Sequence, residues 1–468
     1  MDTELIKKID SKIEEYTDSL KSDTVKLVRI KSTEGKPRRK APFGKGAKRV
    51  LDTFKKMSRK GGFYCRDYGV GVVSVAMKSG DVDLGIWLHG DVVPTGDGWR
   101  FKPYSATEYK GCIIGRGATD NKGQLAAVYN LFKIFKELGI ELKYNPAIYL
   151  GSNEESGMGD IVGVPANPDA KGFLKVAAPP RLSLVPDGGF PLGYGGKGGM
   201  NVTLRSNSPL SFTFTAGQPE SPGTATAVFS ARDIPEDLSE CTVSRLGKST
   251  EVCSFSPPRH GASPDPNGNM ITKLSAALLD CGLAVDEERY ILEFLRAVSL
   301  DVYGEMLGIK CEHEILGKLT VFTKEIDCKD GYIEVSLNIR YPLGICYEEI
   351  VERIKKKCGQ LGFCVVYSSS GTEPYMLDPN NEVADALYRA AKEVTGEEKA
   401  PYTISGTTYA HRLPNAYVYG MNGCLPPDDF PAGHGGAHGI DESVSLDRLK
   451  RAMRIYARAL LSLDELEW

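Results

Sequence analysis

Six histidines occur in this 468-residue chain, at 89, 260, 313, 411, 434 and 438, and any imidazole chemistry must draw on them. The first closes an apolar run, Leu84-Gly85-Ile86-Trp87-Leu88-His89, and is followed by Gly90-Asp91. Such a run, bounded by turn residues, reads as a buried strand. Residues two apart on a strand face the same way. The Asp91 carboxylate is therefore placed to accept the His89 N–H and to fix which ring nitrogen remains for a metal. Taken alone, His-Gly-Asp reads as a strand end followed by a turn. Other carboxylates fall at similar places. Asp120 ends the turn Gly115-Arg116-Gly117-Ala118-Thr119, and Glu154-Glu155 follows the apolar Ala147-Ile148-Tyr149-Leu150. Asp187 follows Leu182-Ser183-Leu184-Val185, and His438 sits in a loop after Ala416-Tyr417-Val418-Tyr419.

Two histidines and three carboxylates suit two divalent ions with one carboxylate shared between them. Zinc takes these ligands readily, and manganese or cobalt also suits them. One further carboxylate must then take the proton of the attacking water and hand it to the leaving amine. Adjacent side chains in extended backbone point to opposite sides. The pair Glu154-Glu155 can thus supply a ligand and a base. Singly, each residue has a plainer role: Asp120 as a helix cap, Glu154-Glu155 as a solvated loop, Asp187 as a turn. Their common position after strands is what joins them, because sites in open α/β sheets form beyond the carboxyl ends of the strands.

The elements that must position these residues read as α/β. Leu5, Ile9, Ile13, Tyr16 and Leu20 make one helical stripe, so residues 1–30 are expected to be helix. Leu125, Val128, Phe132 and Phe135 mark another helix that runs to Gly139. Strands alternating with helices predict a mostly parallel sheet with helices on both faces. The glycine-rich run 193–199 lacks phosphate-loop spacing and reads as a hinge. Beyond it, alternating stretches such as Ile333-Glu334-Val335-Ser336-Leu337 predict an inserted α+β domain with an antiparallel sheet. Ser368-Ser369-Ser370-Gly371 reads as the return hinge. The expected division is 1–195 and 369–468 for one domain and 196–368 for the insert.

Net charge is −3, so nothing suggests nucleic acid or an anionic membrane as partner. No apolar run reaches the length of a membrane span. Eleven cysteines without a C-x-x-C pair point to reduced thiols and a cytoplasmic location.

Several long motifs carry a resemblance: PFGKG at 42–46, HGDVVP at 89–94, GDGW at 96–99, GRGATDNKGQ at 115–124, GSNEESG at 151–157, PDGGFP at 186–191, RHGASP at 259–264, RYP at 340–342 and HGIDES at 438–443. The chain resembles the di-zinc aminoacylase/carboxypeptidase family of metallopeptidases, and within it the carnosinase-like peptidase V group. The resemblance implies a zinc-exopeptidase-like catalytic domain with an inserted lid. It implies hydrolysis of the peptide bond of dipeptides by a hydroxide bridging two divalent metals, zinc first. His89, Asp120 and Asp187 would bind one metal and Asp120, Glu155 and His438 the other. Glu154 would be the general base, Asp91 would orient His89, and the Asp120–Asn121 peptide would be cis. His260, in the lid, would stabilise the oxyanion from the same chain, which allows a monomer. Arg340 would grip the substrate's terminal carboxylate, with Gly406 also at the substrate. Two departures fall where substrate is read. His411 replaces an arginine in Gly406-Thr407-Thr408-Tyr409-Ala410-His411, and the lid motif at 218–223 lacks its usual asparagine. They leave an N-acyl-amino-acid deacylase with the same di-metal site as the alternative. A non-catalytic binding relative would have lost ligands, and none is missing.

Overall fold

The computed structural model describes residues 2–217, 223–230, 234–256, 269–421 and 426–468. His260 and positions 218–222 of the lid motif lie outside the described residues. The chain forms two compact units. One comprises Met1–Tyr194, Met376–Tyr402 and Thr408–Trp468; the other comprises Gly195–Tyr375 and Thr403–Thr407.

At the centre of the first unit, the strand Leu84–His89 lies between Pro146–Gly151 and Leu182–Val185. Both pairings are parallel. Ala416–Val418 adds a further parallel strand beside Leu182–Val185. Towards one edge the pairing turns antiparallel, through Val73–Ala76 and Tyr64–Asp67. All six residues of Leu84–His89 and all six of Pro146–Gly151 are buried, which is why both read as continuous apolar runs rather than alternating ones. Helices Lys45–Lys60 and Gly123–Glu137 pack on this sheet. Helix Glu382–Thr395 is bounded as its sequence dictates. The Asn381 side chain accepts from Ala384 N at its start, and Gly396 takes a left-handed conformation at its end.

The first 30 residues are not one helix. Thr3–Glu15 and Thr17–Val28 are separated at Tyr16, whose φ/ψ of −83°/5° leaves the helical range. The apolar stripe continues across the break, so periodicity alone does not reveal it.

The second unit carries an eight-stranded sheet in the order Cys241–Leu246, Ser249–Ser256, Gly223–Ser230, Thr213–Gly217, Thr320–Lys329, Tyr332–Tyr341, Gly198–Ser206, Phe363–Thr372. Its pairings are antiparallel. Tyr332–Tyr341 alternates strictly between buried and half-buried residues, with the buried set facing a core that includes Ile350 and Ile354 of helix Tyr347–Gln360. Both expected hinges fall within strands, and the first contains the boundary between the two units, at Tyr194 and Gly195. The glycine-rich run contributes to Gly193–Gly196 and Gly198–Ser206, and Ser368 and Ser369 pair with Val202 and Asn201. A run of small or polar residues looks like a loop in sequence, yet Phe363–Thr372, the edge strand of its sheet, tolerates the serines. Among the described residues, no helix is long and apolar enough to cross a membrane.

Candidate metal centre

The three central parallel strands end side by side, with His89 opposite Gly151 and Ile86 opposite Leu184. His89 is the last residue of its strand, Glu154 and Glu155 lie in the turn after Gly151, and Asp187 lies two residues after Val185. The turn after Gly151 requires glycine there: a side chain would collide with the Tyr409 hydroxyl and the Asp160 carboxylate. Asp120 arrives from the turn Ala118–Lys122, entered through Gly117 at φ 85°. Asp120 itself is extended at φ −121°, ψ 90°, and its peptide bond to Asn121 is cis, as the resemblance implies. His438, at φ 60°, comes from the loop before Ser443–Ser445.

These side chains converge as two groups of three donors, His89, Asp120, Asp187 and Asp120, Glu155, His438. Within each group the offered ligand atoms lie within 4.8 Å of one another. Asp120 divides its oxygens between the groups. Oδ1 is 2.9 Å from His89 Nε2, and Oδ2 is 3.2 Å from His438 Nε2. His438 Nε2 is also 3.0 Å from Glu155 Oε2, and His89 Nε2 is 4.0 Å from Asp187 Oδ2. These spacings bracket the ~3.3 Å edge of a tetrahedron built on ~2.05 Å metal–ligand bonds. The donor set of imidazole nitrogens and carboxylate oxygens thus fits divalent ions.

Electrostatics favour the same reading. Burial opposes the charge of Asp120, yet hydrogen bonds from His438 and His89 pull its carboxyl below the usual range. Burial likewise opposes charge on His438, and Asp120 and Glu155 outweigh it, raising the imidazole to about 12. His89 is held well above the ordinary imidazole value for the same reason, chiefly by Asp120. Burial, then the charge of Asp120, lifts Asp187 to about 7 and also raises Glu155. Among the described residues, none of Asp91, Asp120, Glu154, Glu155 or Asp187 forms an ion pair with a lysine or arginine. So many carboxylates packed together without a lysine or arginine partner favour a divalent cation among them.

Glu154 stands apart from both groups. It is buried, and its Oε1 has no hydrogen-bond partner. Burial and then the charge of Asp187 push its carboxyl well above the ordinary value. Asp91 differs in detail from the sequence expectation. His89 Nδ1 is 3.1 Å from the Asp91 backbone carbonyl, whereas the Asp91 Oδ1 is 3.6 Å away, too far for a hydrogen bond. The Asp91 carboxylate instead accepts Glu155 N on Oδ2 at 3.0 Å. It therefore ties the His89 strand to the glutamate turn, and its carbonyl directs the ring.

Sequence reasoning missed further buried groups. Asp160 Oδ2 accepts Ser152 N at 2.6 Å, Asn153 N at 3.1 Å and the Tyr409 hydroxyl at 2.6 Å, bracing the glutamate turn. Glu442 and Arg116 brace the turn that ends in Asp120, and Asp441 Oδ1 accepts Arg100 N and Phe101 N. The spacing of Asp441 and Glu442 after His438 was a visible signal, though it marked them only as neighbours of a ligand. His434 is not in either donor group; its Nδ1 bonds Asp441 Oδ2 at 2.8 Å. His411 Nδ1 accepts Thr408 N at 3.2 Å.

In the second unit, Arg340 donates Nε to Asn338 Oδ1 at 3.0 Å, and burial lowers its pKa. Gly199 lets the guanidinium lie close to the backbone, since a Cβ there would sit 2.6 Å from Arg340 Nη1. Thr407 packs on the same side, and Gly406 faces open space.

Comparison with known proteins places these residues in context. The family described as Peptidase family M20/M25/M40 matches residues 86–462. "Putative dipeptidase SSP1012" of Staphylococcus saprophyticus is 26% identical over 487 aligned residues, covering 97% of this chain and 98% of that protein. Among solved structures, human carnosine dipeptidase 1 superposes with a TM-score of 0.63 at 16% identity, over 99% of both chains. The dipeptidase Dug1p of Saccharomyces cerevisiae gives 0.61 at 15% identity, again over 99% of both.

Proposed function

The chain belongs to peptidase family M20/M25/M40, as a metal-dependent hydrolase, and we propose that it cleaves the peptide bond of dipeptides using two divalent ions, zinc first. The observation that carries this reading is the pair of three-donor groups sharing Asp120, with the unbonded carboxylate of Glu154 buried in the same turn as Glu155. His89, Asp120 and Asp187 would hold one ion, and Asp120, Glu155 and His438 the other. Ions bound there would polarise the scissile carbonyl and acidify the attacking water.

The chain's own residues account for the remaining steps. Glu154 takes the proton of the attacking water and delivers it to the leaving amine nitrogen. Its raised pKa suits a group that must hold a proton between the two transfers, and nearby cations would bring that pKa back towards neutrality. Asp91 and Asp160 hold the backbone that presents Glu154 and Glu155. Arg340 is assigned to the substrate's terminal carboxylate. Its Nε is already fixed by Asn338, which leaves its two Nη groups for a planar anion. Gly406, with open space above it, would let the substrate backbone come close. His260, read from its sequence motif alone, is the oxyanion donor. A lid that brings its own histidine makes a monomer sufficient. The names of the relatives support dipeptides as substrate. The ten described cysteines form no disulfide with one another, which supports a reducing cytoplasmic compartment.

Glu154→Gln tests this reading. Metal content should stay at the wild-type level while kcat falls roughly 10²–10⁴-fold; full activity would remove Glu154 from the base role. His260→Ala should likewise depress turnover without removing metal. His411 stands in place of the family arginine where substrate is read, and the alternative substrate class is N-acyl amino acids. A panel of dipeptides against N-acetyl amino acids separates the two.

A further inference from the structure

Glu442 is a buried carboxylate that belongs to neither donor group. Its Oε1 accepts Thr119 N at 2.9 Å and Asp120 N at 3.0 Å. Its Oε2 accepts Gly117 N at 2.9 Å and Arg116 Nη1 at 2.8 Å. All four bonds therefore land on the short turn that ends in Asp120. The turn and the Glu442 segment are also joined through backbone. Gly115 N donates to Glu442 O at 2.7 Å, and the Thr119 hydroxyl donates to Ser443 O at 2.5 Å. Arg116, 1% exposed, reaches the other way. Its Nη2 donates to His438 O at 3.0 Å, Pro94 O at 3.2 Å and Thr95 O at 3.3 Å. One buried ion pair thus grips the backbone of Asp120 and of His438 together.

That grip matters because Asp120 has to serve two partners at once. Its oxygens lie 2.9 Å from His89 and 3.2 Å from His438 on opposite sides. Asp120 stands in extended backbone between helical residues, and His438 stands at φ 60°, so neither is oriented by regular secondary structure. Sites of this kind tolerate about 0.5 Å of error in the ligands.

We propose that Glu442 and Arg116 are positioning residues for metal binding: Glu442 sets the orientation of Asp120 for both ions, and Arg116 sets the place of His438 for one of them. The inference rests on the ligand assignment above. It is tested by titrating metal-free protein with cobalt(II), read by visible absorption, and by zinc competition against a chelator. Wild-type protein should bind two ions; binding none would sink the ligand assignment itself. Glu442→Gln keeps the volume but turns an amide N–H towards backbone donors, and should weaken both ions tenfold to a hundredfold with altered cobalt spectra. Arg116→Lys keeps a charge opposite Glu442 but cannot also span the three carbonyls. It should weaken the ion that uses His438 more than the other. Tyr129→Phe removes a buried hydrogen bond to Met57 O in the same unit and should leave both constants unchanged. Wild-type constants in folded Glu442→Gln and Arg116→Lys would overturn the proposal. So would failure of both variants to fold, by circular dichroism, since that would make the pair scaffold alone.

Discussion

The two halves of the donor cluster are held by different means. His89 ends one strand and Asp187 follows its parallel neighbour, and the sheet ladder itself sets their separation. The His89 side chain is 1% exposed. His438 stands on a loop, 29% exposed, at a left-handed backbone position. No ladder places it, and the chain holds it through side-chain-to-backbone bonds that reach across more than 300 residues, such as Arg116 Nη2 to His438 O. A strand end needs little besides its neighbours to aim a ligand. A loop needs buried charge to do the same.

The largest effect should come from the residue both halves share. Asp120→Ala should lose both metal equivalents by elemental analysis and reduce turnover to background; retention of either ion at full occupancy would break the pairing. Next, His89→Ala and His438→Ala should each lose one equivalent, with the strand-borne substitution lowering the melting temperature of metal-free protein more than the loop-borne one. Equal losses of stability would mean that the loop is as fixed as the sheet. Arg340→Met stands outside both halves. It should lower kcat/KM for substrates with a free terminal carboxylate by roughly 10- to 100-fold, with metal content unchanged.

The smallest effect concerns Asp160, which braces the glutamate turn. Burial, and then the charge of Asp91, lifts its carboxyl from 3.8 to about 7. A carboxyl raised on folding contributes stability that is present below the unfolded value and lost as pH rises through the folded one. Metal-free protein should therefore lose part of its stability between pH 3.8 and about 7. Asp160→Asn should flatten that slope in urea midpoints measured across the range. An unchanged slope would remove Asp160 as its source.

How far the sequence shows this site depends on the same contrast. Strands buried on both faces print themselves as apolar runs, so the places after Leu88, Leu150 and Val185 were legible, and with them the candidate residues that follow. The α/β class and the antiparallel second sheet were legible from spacing and alternation. What escaped was everything fixed by contacts between distant residues. The carboxylate of Glu442 gripping the 116–120 turn leaves no periodic trace. The bond from His89 to the carbonyl of Asp91 rather than its carboxylate is a matter of tenths of an ångström. The Tyr16 break hides under a continuous apolar stripe, and the serines at 368 and 369 hide a strand under loop-like composition.

One reconstitution directly measures the proposed metal-dependent cleavage of dipeptides at two sites sharing Asp120. Metal-free protein is titrated with zinc while bound metal and hydrolysis of a dipeptide panel are followed together. Activity on dipeptides should rise to its maximum as two equivalents bind per chain. Full dipeptide activity without metal, or two bound equivalents with no dipeptide hydrolysed, would contradict the proposal.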